Sequence, residues 1–266
     1  MKFNIGITGH NGSLGKIIKK NKSKNNYFYY GHDIRNKKKL FEWCNNNNLN
    51  VIFHLAAIVP IKSVNKNRKK AYDVNFVGTK NLVDIAKKIN VNWFFFASTS
   101  HVYKSTKKKI KEDFIKIPIS YYGKTKLLAE QYIERNLKNY CIGRIFSTSN
   151  KNQKQNYLIP DLKRKIKFSK NTLILKNLNH YRDFISMKDI SKIIHLLLNK
   201  NFKGIINIGS GKKIYLKDIA KIISKKYKKE VLIKENKKIT YLISNNTKLR
   251  KITHLNFKSN IIKMIF

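Results

Sequence analysis

Acidic residues are scarce in this chain: 14 Asp and Glu stand against 58 Lys and Arg, a formal net charge of +44. Cysteine is scarcer still, with only Cys44 and Cys141 among 266 residues. Two distant cysteines exclude a disulfide framework and a cysteine-built zinc site, and fit a reducing, cytoplasmic setting. The seven histidines show no ligand spacing, so no metal is expected. No apolar run reaches the roughly 18 residues that a membrane helix needs. Met1-Lys2-Phe3-Asn4-Ile5 leads straight into an apolar strand, so neither a signal peptide nor a membrane partner is expected. A nucleic-acid binder gathers its cations on one face among aromatics. Here lysine is spread through every segment beside abundant Asn and Ile, which reads as compositional drift and predicts no specific nucleic-acid partner. The charge still favours anionic ligands at low salt.

What is present is alternation. Short apolar runs at Phe3–Thr8, Tyr27–Gly31, Val51–Leu55, Trp93–Ser98, Tyr140–Phe146 and Ile205–Ile208 read as strands. Helical patterns fall between and after them, at Leu14–Lys20, Lys37–Asn45, Asn75–Ile89, Ser120–Leu137 and Lys188–Leu198. The order predicts βαβ units on a parallel sheet, and the unbroken apolar run Trp93-Phe94-Phe95-Phe96-Ala97 predicts cover on both faces. Beyond Asn150 the rhythm weakens.

Four of only 11 glycines fall in Ile5-Gly6-Ile7-Thr8-Gly9-His10-Asn11-Gly12-Ser13-Leu14-Gly15, and three of them, Gly9, Gly12 and Gly15, come three residues apart directly after a strand and at a helix start. Gly9 permits a tight turn, Gly12 lets a pyrophosphate approach the backbone, and Gly15 lets the helix pack close. The helix N-terminus then offers free N–H groups to the anion. The expected fold is therefore α/β: a Rossmann-like doubly wound parallel sheet over residues 1–150, with 182–209 returning to it. Segments 151–181 and 210–266 are expected to form a small substrate-binding cap.

Tyr122-Gly-Lys-Thr-Lys126 sets a phenol and an ammonium on one helix face, where the cation favours the phenolate. Among 14 tyrosines and 58 cations this spacing arises by chance roughly three times, and Tyr103/Lys107 repeats it, so context must decide. The glycine turn, His54-Leu-Ala-Ala57, Asp73-Val-Asn75-Phe-Val-Gly-Thr-Lys-Asn-Leu82, Ser98-Thr99-Ser100-His-Val-Tyr103 and Tyr122-Gly-Lys-Thr-Lys126 follow one another in that order. Gly143-Arg144-Ile-Phe146, Arg182-Asp-Phe-Ile185 and Asn207-Ile-Gly-Ser-Gly211 come after them. Together, over roughly residues 1–250, they resemble the extended short-chain dehydrogenase/reductase family in its nucleotide-sugar epimerase/dehydratase branch.

The resemblance implies an NAD(P)-dependent enzyme acting on a nucleotide sugar, in the supply of surface-polysaccharide precursors. It implies that Tyr122 is the acid/base, that Thr99 bonds the reacting hydroxyl, and that Lys126 lowers the phenol's pKa and holds the nicotinamide ribose. Gly9, Asn11, Gly12, Ser13, Leu14 and Gly15 would hold the pyrophosphate, and Asp33 and Ile34 would contact adenine. Leu55, Ala56, Ala57, Asn75, Ser98 and Phe146 would line the remaining cofactor path. Ser100 would join Thr99 at the substrate, and Arg182 would grip its diphosphate. A homodimer through the helices near 75–89 and 120–137 is also implied. Plainer roles compete: Asp33 as a helix cap, Thr99 as a strand-end hydroxyl, Arg182 paired with Asp183 or Asp189, and Lys126 as a solvated lysine.

Three departures shape the expectation. The stretch from Gly15 to His32 has room for a helix end and one strand only, so no acidic residue for the NAD ribose is identified. NAD and NADP both stay open, with NAD ahead. Ser100 and His101 replace the Asp-Glu pair of 4,6-dehydratases, which argues against water elimination, and Ser147 stands where the family commonly has Asn. The expected reaction is NDP-sugar 4-epimerisation. The alternative is reduction of an NDP-4-keto sugar, and a non-catalytic dinucleotide-binding or nucleic-acid-associated protein has only the charge in its favour.

Overall fold

The computed structural model describes residues 2–20, 24–59, 61–150, 153, 157–234, 239–257 and 260–266. The first half runs β1 (Asn4–Thr8), α1 (Ser13–Lys20), β2 (Asn26–Tyr30), α2 (Lys37–Asn46), β3 (Val51–His54), α3 (Ile61–Lys66) and α4 (Arg68–Tyr72). A π-helical turn at Asp73–Val77 leads into α5 (Gly78–Lys88), then β4 (Trp93–Thr99), a 3-10 turn at Ser100–Val102, α6 (Tyr121–Asn136) and β5 (Tyr140–Ile145). There follow β6 (Ser147–Ser149), α7 (Leu158–Lys167), β7 (Leu173–Leu175), β8 (His180–Arg182), β9 (Phe184–Ser186), α8 (Met187–Asn199) and β10 (Gly204–Ile208). The chain closes with β11 (Ile214–Tyr215), α9 (Leu216–Tyr227), β12 (Val231–Ile233), β13 (Thr240–Leu242), α10 (Thr247–Thr253) and α11 (Ile261–Ile265).

Six parallel strands form the main sheet in the order β10-β5-β4-β3-β1-β2. It is a Rossmann-like doubly wound α/β fold. As the short Gly15–His32 interval predicts, β2 is, among the described residues, the one strand on its side of β1. Alternation explains the apolar run in β4. Trp93 and Phe95 join Ile7, Phe53 and Cys141 beneath α1 and α8, whereas Phe94 and Phe96 join Ile52 and Ile142 beneath α2, α5 and α6. Each such ring, withdrawn from water, contributes roughly 1.5–3 kcal/mol.

A third apolar cluster gathers Ile159, Leu162 and Ile166 of α7 with Leu216, Ile219 and Ile223 of α9. The stretch 210–266 is divided in its packing, because Leu249 of α10 and Phe257 enter the cluster under α8 and the main sheet. Small sheets β11-β8-β13, β12-β7 and β6-β9 complete this part. The Asp183 carboxylate, wholly buried, ties it to the rest by accepting from the Ser210 and Gly211 N–H groups, the Ser244 N–H, and the Ser210 and Ser244 hydroxyls. Among the described residues no helix is long and apolar enough to cross a membrane, and no group of three or more His, Cys, Asp or Glu could hold a metal.

Candidate active site

The C-terminal ends of β1, β3, β4 and β5 open into one cavity of about 780 Å³, where strands added on either side of β1 leave a crevice. Of the sites expected from sequence, its wall includes Gly9, Gly12, Ser13, Leu14, Gly15, Leu55, Ala56, Ala57, Ser98, Thr99, Ser100, Tyr122, Phe146 and Arg182. The glycine turn fits a pyrophosphate. Gly9 has φ +72°, and a Cβ there would lie 2.6 Å from the Ala56 nitrogen. A Cβ on Gly15 would lie 2.5 Å from the Gly9 carbonyl, whereas Gly12 meets only that carbonyl, at 3.1 Å. Two positions are thus closed to any side chain by backbone, and the third keeps the approach clear.

Five expected residues lie off the wall. Asn11 is exposed at the tip of the turn. Asn75 is fully buried and uses its amide inside the protein: Oδ1 accepts from the Ile58 N–H at 2.8 Å, and Nδ2 donates to the Ile58 carbonyl and Thr125 Oγ1. It therefore shapes the loop that follows β3 rather than facing it. Ile34 packs under Gly78, where a Cβ would lie 2.5 Å from it. Asp33 is held by Arg35 at 2.6 Å, and that hydrogen-bonded guanidinium lowers its carboxyl to about 2. Asn36, not Asp33, caps α2. Lys126 is the fifth.

Tyr122 and Lys126 stand in the first turns of α6, which starts where the Ser120 hydroxyl accepts from the Gly123 N–H. Burial together with Tyr157 pushes the Tyr122 phenol above its ordinary 10, although the neighbouring Thr99 side chain favours the phenolate. Lys126 is 1% exposed with Nζ 3.8 Å from the Phe96 ring centre, and burial drags its ammonium down to about 7 against the pull of Glu130. The expected lowering of the phenol by Lys126 is thus reversed in the protein alone. Desolvation of both groups outweighs a neighbour that is itself losing its charge. Lys126 is no solvated lysine.

A pH signature follows. The unfolded amine titrates near 10.5 and the folded one near 7, so between those values the unfolded chain binds more protons. Lowering the pH through that window therefore favours unfolding, and the loss levels off below about 7. Melting curves of the ligand-free protein are expected to show the wild type gaining on Lys126→Met as pH rises from 7 to 10. A flat difference would refute a buried, depressed amine.

Beneath the wall lies a buried ionic network. Glu130, on α6, accepts from the Ser98 hydroxyl and pairs with Arg144 at 2.7 Å, both side chains at 0% exposure. Arg144 also donates to Tyr103 Oη and the Glu112 carbonyl, each at 2.8 Å, and Tyr103 donates to Asn207. Tyr103 is committed there, which removes it as a rival acid/base. Also on the cavity wall, Arg182 donates to the Tyr181 and Thr240 carbonyls and to Thr240 Oγ1. Neither Asp183 nor Asp189 pairs with it among the described residues, and burial lowers it only to about 10, so it stays a cation.

Sequence reasoning missed His101, which was read only as a departure. It lines the cavity, sets its ring edge-on to Tyr122 at 6.1 Å, and shares a 3.0 Å hydrogen bond with Ser120 Oγ. Burial and the Arg182 charge lower it to about 4, so the imidazole is neutral. Gln153, Tyr157 and His180 also reach the wall, and nothing in their lysine- and asparagine-rich surroundings marked them.

The model of the NAD dependent epimerase/dehydratase family matches residues 5–209. A GDP-6-deoxy-D-talose 4-dehydrogenase of Aggregatibacter actinomycetemcomitans is 28% identical over 218 residues, 77% of this chain and 74% of that protein. A Methanocaldococcus jannaschii protein provisionally assigned as a UDP-glucose 4-epimerase is 27% identical over 201 residues, covering 72% of this chain but 65% of its own. Among solved structures, the dTDP-4-dehydrorhamnose reductase of Bacillus anthracis in complex with NADP superposes with a TM-score of 0.86. That likeness is one of fold, at 21% identity over 97% of this chain and 95% of the reductase. The family model spans most of the chain, including the glycine turn, Thr99, Tyr122 and Lys126. The chain therefore belongs to the NAD dependent epimerase/dehydratase family and is an NAD(P)-dependent enzyme.

Proposed function

We propose that the enzyme interconverts nucleotide sugars epimeric at C4. The observation that carries this reading is that Tyr122 and Thr99 line the same cavity as the glycine turn. Thr99 orients the sugar's 4-hydroxyl, and Tyr122 Oη takes and returns its proton. NAD(P) seated on the turn supplies hydride acceptance and return, together with a positive ring that favours the phenolate. Likeness to the family assigns Lys126, four residues along α6, to the nicotinamide ribose, although its Nζ lies over the Phe96 ring and off the cavity wall. Arg182, on the wall of the same cavity, offers a cation to the substrate diphosphate. Ser100 and neutral His101 provide no carboxylate to expel water, which favours epimerisation over dehydration. The names of the two relatives support a nucleotide sugar as substrate, and a homodimer through α5 and α6 belongs to the same reading.

A second reading, reduction of an NDP-4-keto sugar with cofactor release, draws support from the end of β2. There Tyr30-Gly31-His32 offers no carboxylate to a ribose, and Asp33 is occupied by Arg35. The purified protein separates the two. An epimerase is expected to carry dinucleotide visible by mass spectrometry and to interconvert UDP-glucose and UDP-galactose, or their dTDP or GDP counterparts, with none added. Consumption of one NADPH per 4-keto sugar would instead establish the reductase.

A further inference from the structure

The wall of the cavity contains a polar side chain that the protein leaves unsatisfied. Gln153 is 7% exposed, lines the cavity, and neither Oε1 nor Nε2 has a hydrogen-bond partner among the described residues. Thr148, on the same wall, has an unpartnered Oγ1. An amide buried in this state is costly, and native proteins seldom keep one without use. Its neighbour Asn150 does not relieve it, because Asn150 Nδ2 donates to Met187 Sδ.

We propose that Gln153, with Thr148, reads a pair of adjacent hydroxyls on the sugar ring, which makes it a specificity-determining residue. The inference rests on the nucleotide-sugar reading above. A primary amide presents an acceptor beside a donor. A phosphate offers acceptors only and would set its charge against Oε1, and Arg182 already serves an anion. Two neighbouring hydroxyls satisfy both ends of the amide at once, one donating to Oε1 and the other accepting from Nε2. Position agrees with this assignment. Gln153 lies in the connection from β6 to α7, outside the glycine turn, and shares the cavity lining with Tyr157, His180 and Arg182.

The test is calorimetric titration of cofactor-loaded wild type and Gln153→Leu with UDP, dTDP and GDP, and with UDP-glucose, dTDP-glucose and GDP-mannose. For the conjugate that the wild type binds best, Gln153→Leu is expected to raise Kd about tenfold. Kd for the free diphosphate and for NAD(P) is expected to move less than twofold. The ligand-free variant is expected to melt no lower than the wild type, since an unsatisfied group has been replaced by an apolar one. An unchanged Kd for the conjugate overturns the proposal. So does an equal loss for the free diphosphate or for NAD(P), which would assign the amide to a base or a carboxamide, and so does a clear fall in melting temperature, which would make Gln153 structural. If the wild type prefers no conjugate over its free diphosphate, the nucleotide-sugar reading falls first and takes this one with it.

Discussion

Tyr122→Phe is expected to lower kcat by about 10²–10⁴-fold, the range that a positioned acid/base commonly contributes. The fold should tolerate it. The phenol is buried and held in its neutral form, so the substitution removes no charge, only a neutral hydroxyl beside Thr99. NAD(P) affinity is expected to change little, because the glycine turn is untouched. Single-turnover reduction of bound cofactor by substrate isolates the step, and it should slow in parallel with kcat. A variant that retains a third of the wild-type rate would remove Tyr122 from the reaction, and the assignment of Thr99 would go with it.

The second large effect is on stability. Glu130→Ala leaves the Arg144 guanidinium buried at 0% exposure with its carboxylate gone. Removing one partner of such a pair costs about 3–5 kcal/mol, because the remaining charge is neither solvated nor matched. In a chain of this size that lowers the melting temperature by roughly 10 °C. The pair itself is a weak source of net stability, so Glu130→Leu combined with Arg144→Met is expected to recover much of the loss. Additive losses in the double variant, measured by thermal or urea unfolding, would show that each residue acts through other contacts.

The main sheet was legible because burial on both faces leaves a plain trace. A strand such as Trp93–Thr99 must be apolar at successive positions when odd and even side chains enter different cores. The glycine turn was legible for a related reason, since backbone contacts at Gly9 and Gly15 admit nothing larger. The expected helix Asn75–Ile89 hid its opening turn. Residues 73–77 are π-helical, with the Thr79 hydroxyl on the Asn75 carbonyl and the Asn75 amide gripping Ile58, constraints set by a distant loop. The small strands, such as Leu173–Leu175 and His180–Arg182, are too short to display a period. Spacing put Tyr122 and Lys126 one helical turn apart, yet in the protein alone burial raises the phenol and lowers the ammonium, because desolvation depends on what covers a residue. Gln153 stayed invisible for the same reason.

Asp183 has a consequence for when the site comes into being. Its carboxylate is matched only when residues 210, 211 and 244 have all arrived, and the adjacent Arg182 takes its bearings from Thr240. On the ribosome, the sheet can begin to assemble while the guanidinium next to Asp183 still lacks its frame, and the core beneath α8 closes only when Leu249 and Phe257 have emerged. The orientation of Arg182 is therefore acquired late in synthesis, as one of the last events of maturation, and a nascent chain halted before residue 240 would lack both that orientation and the last packing of the main core.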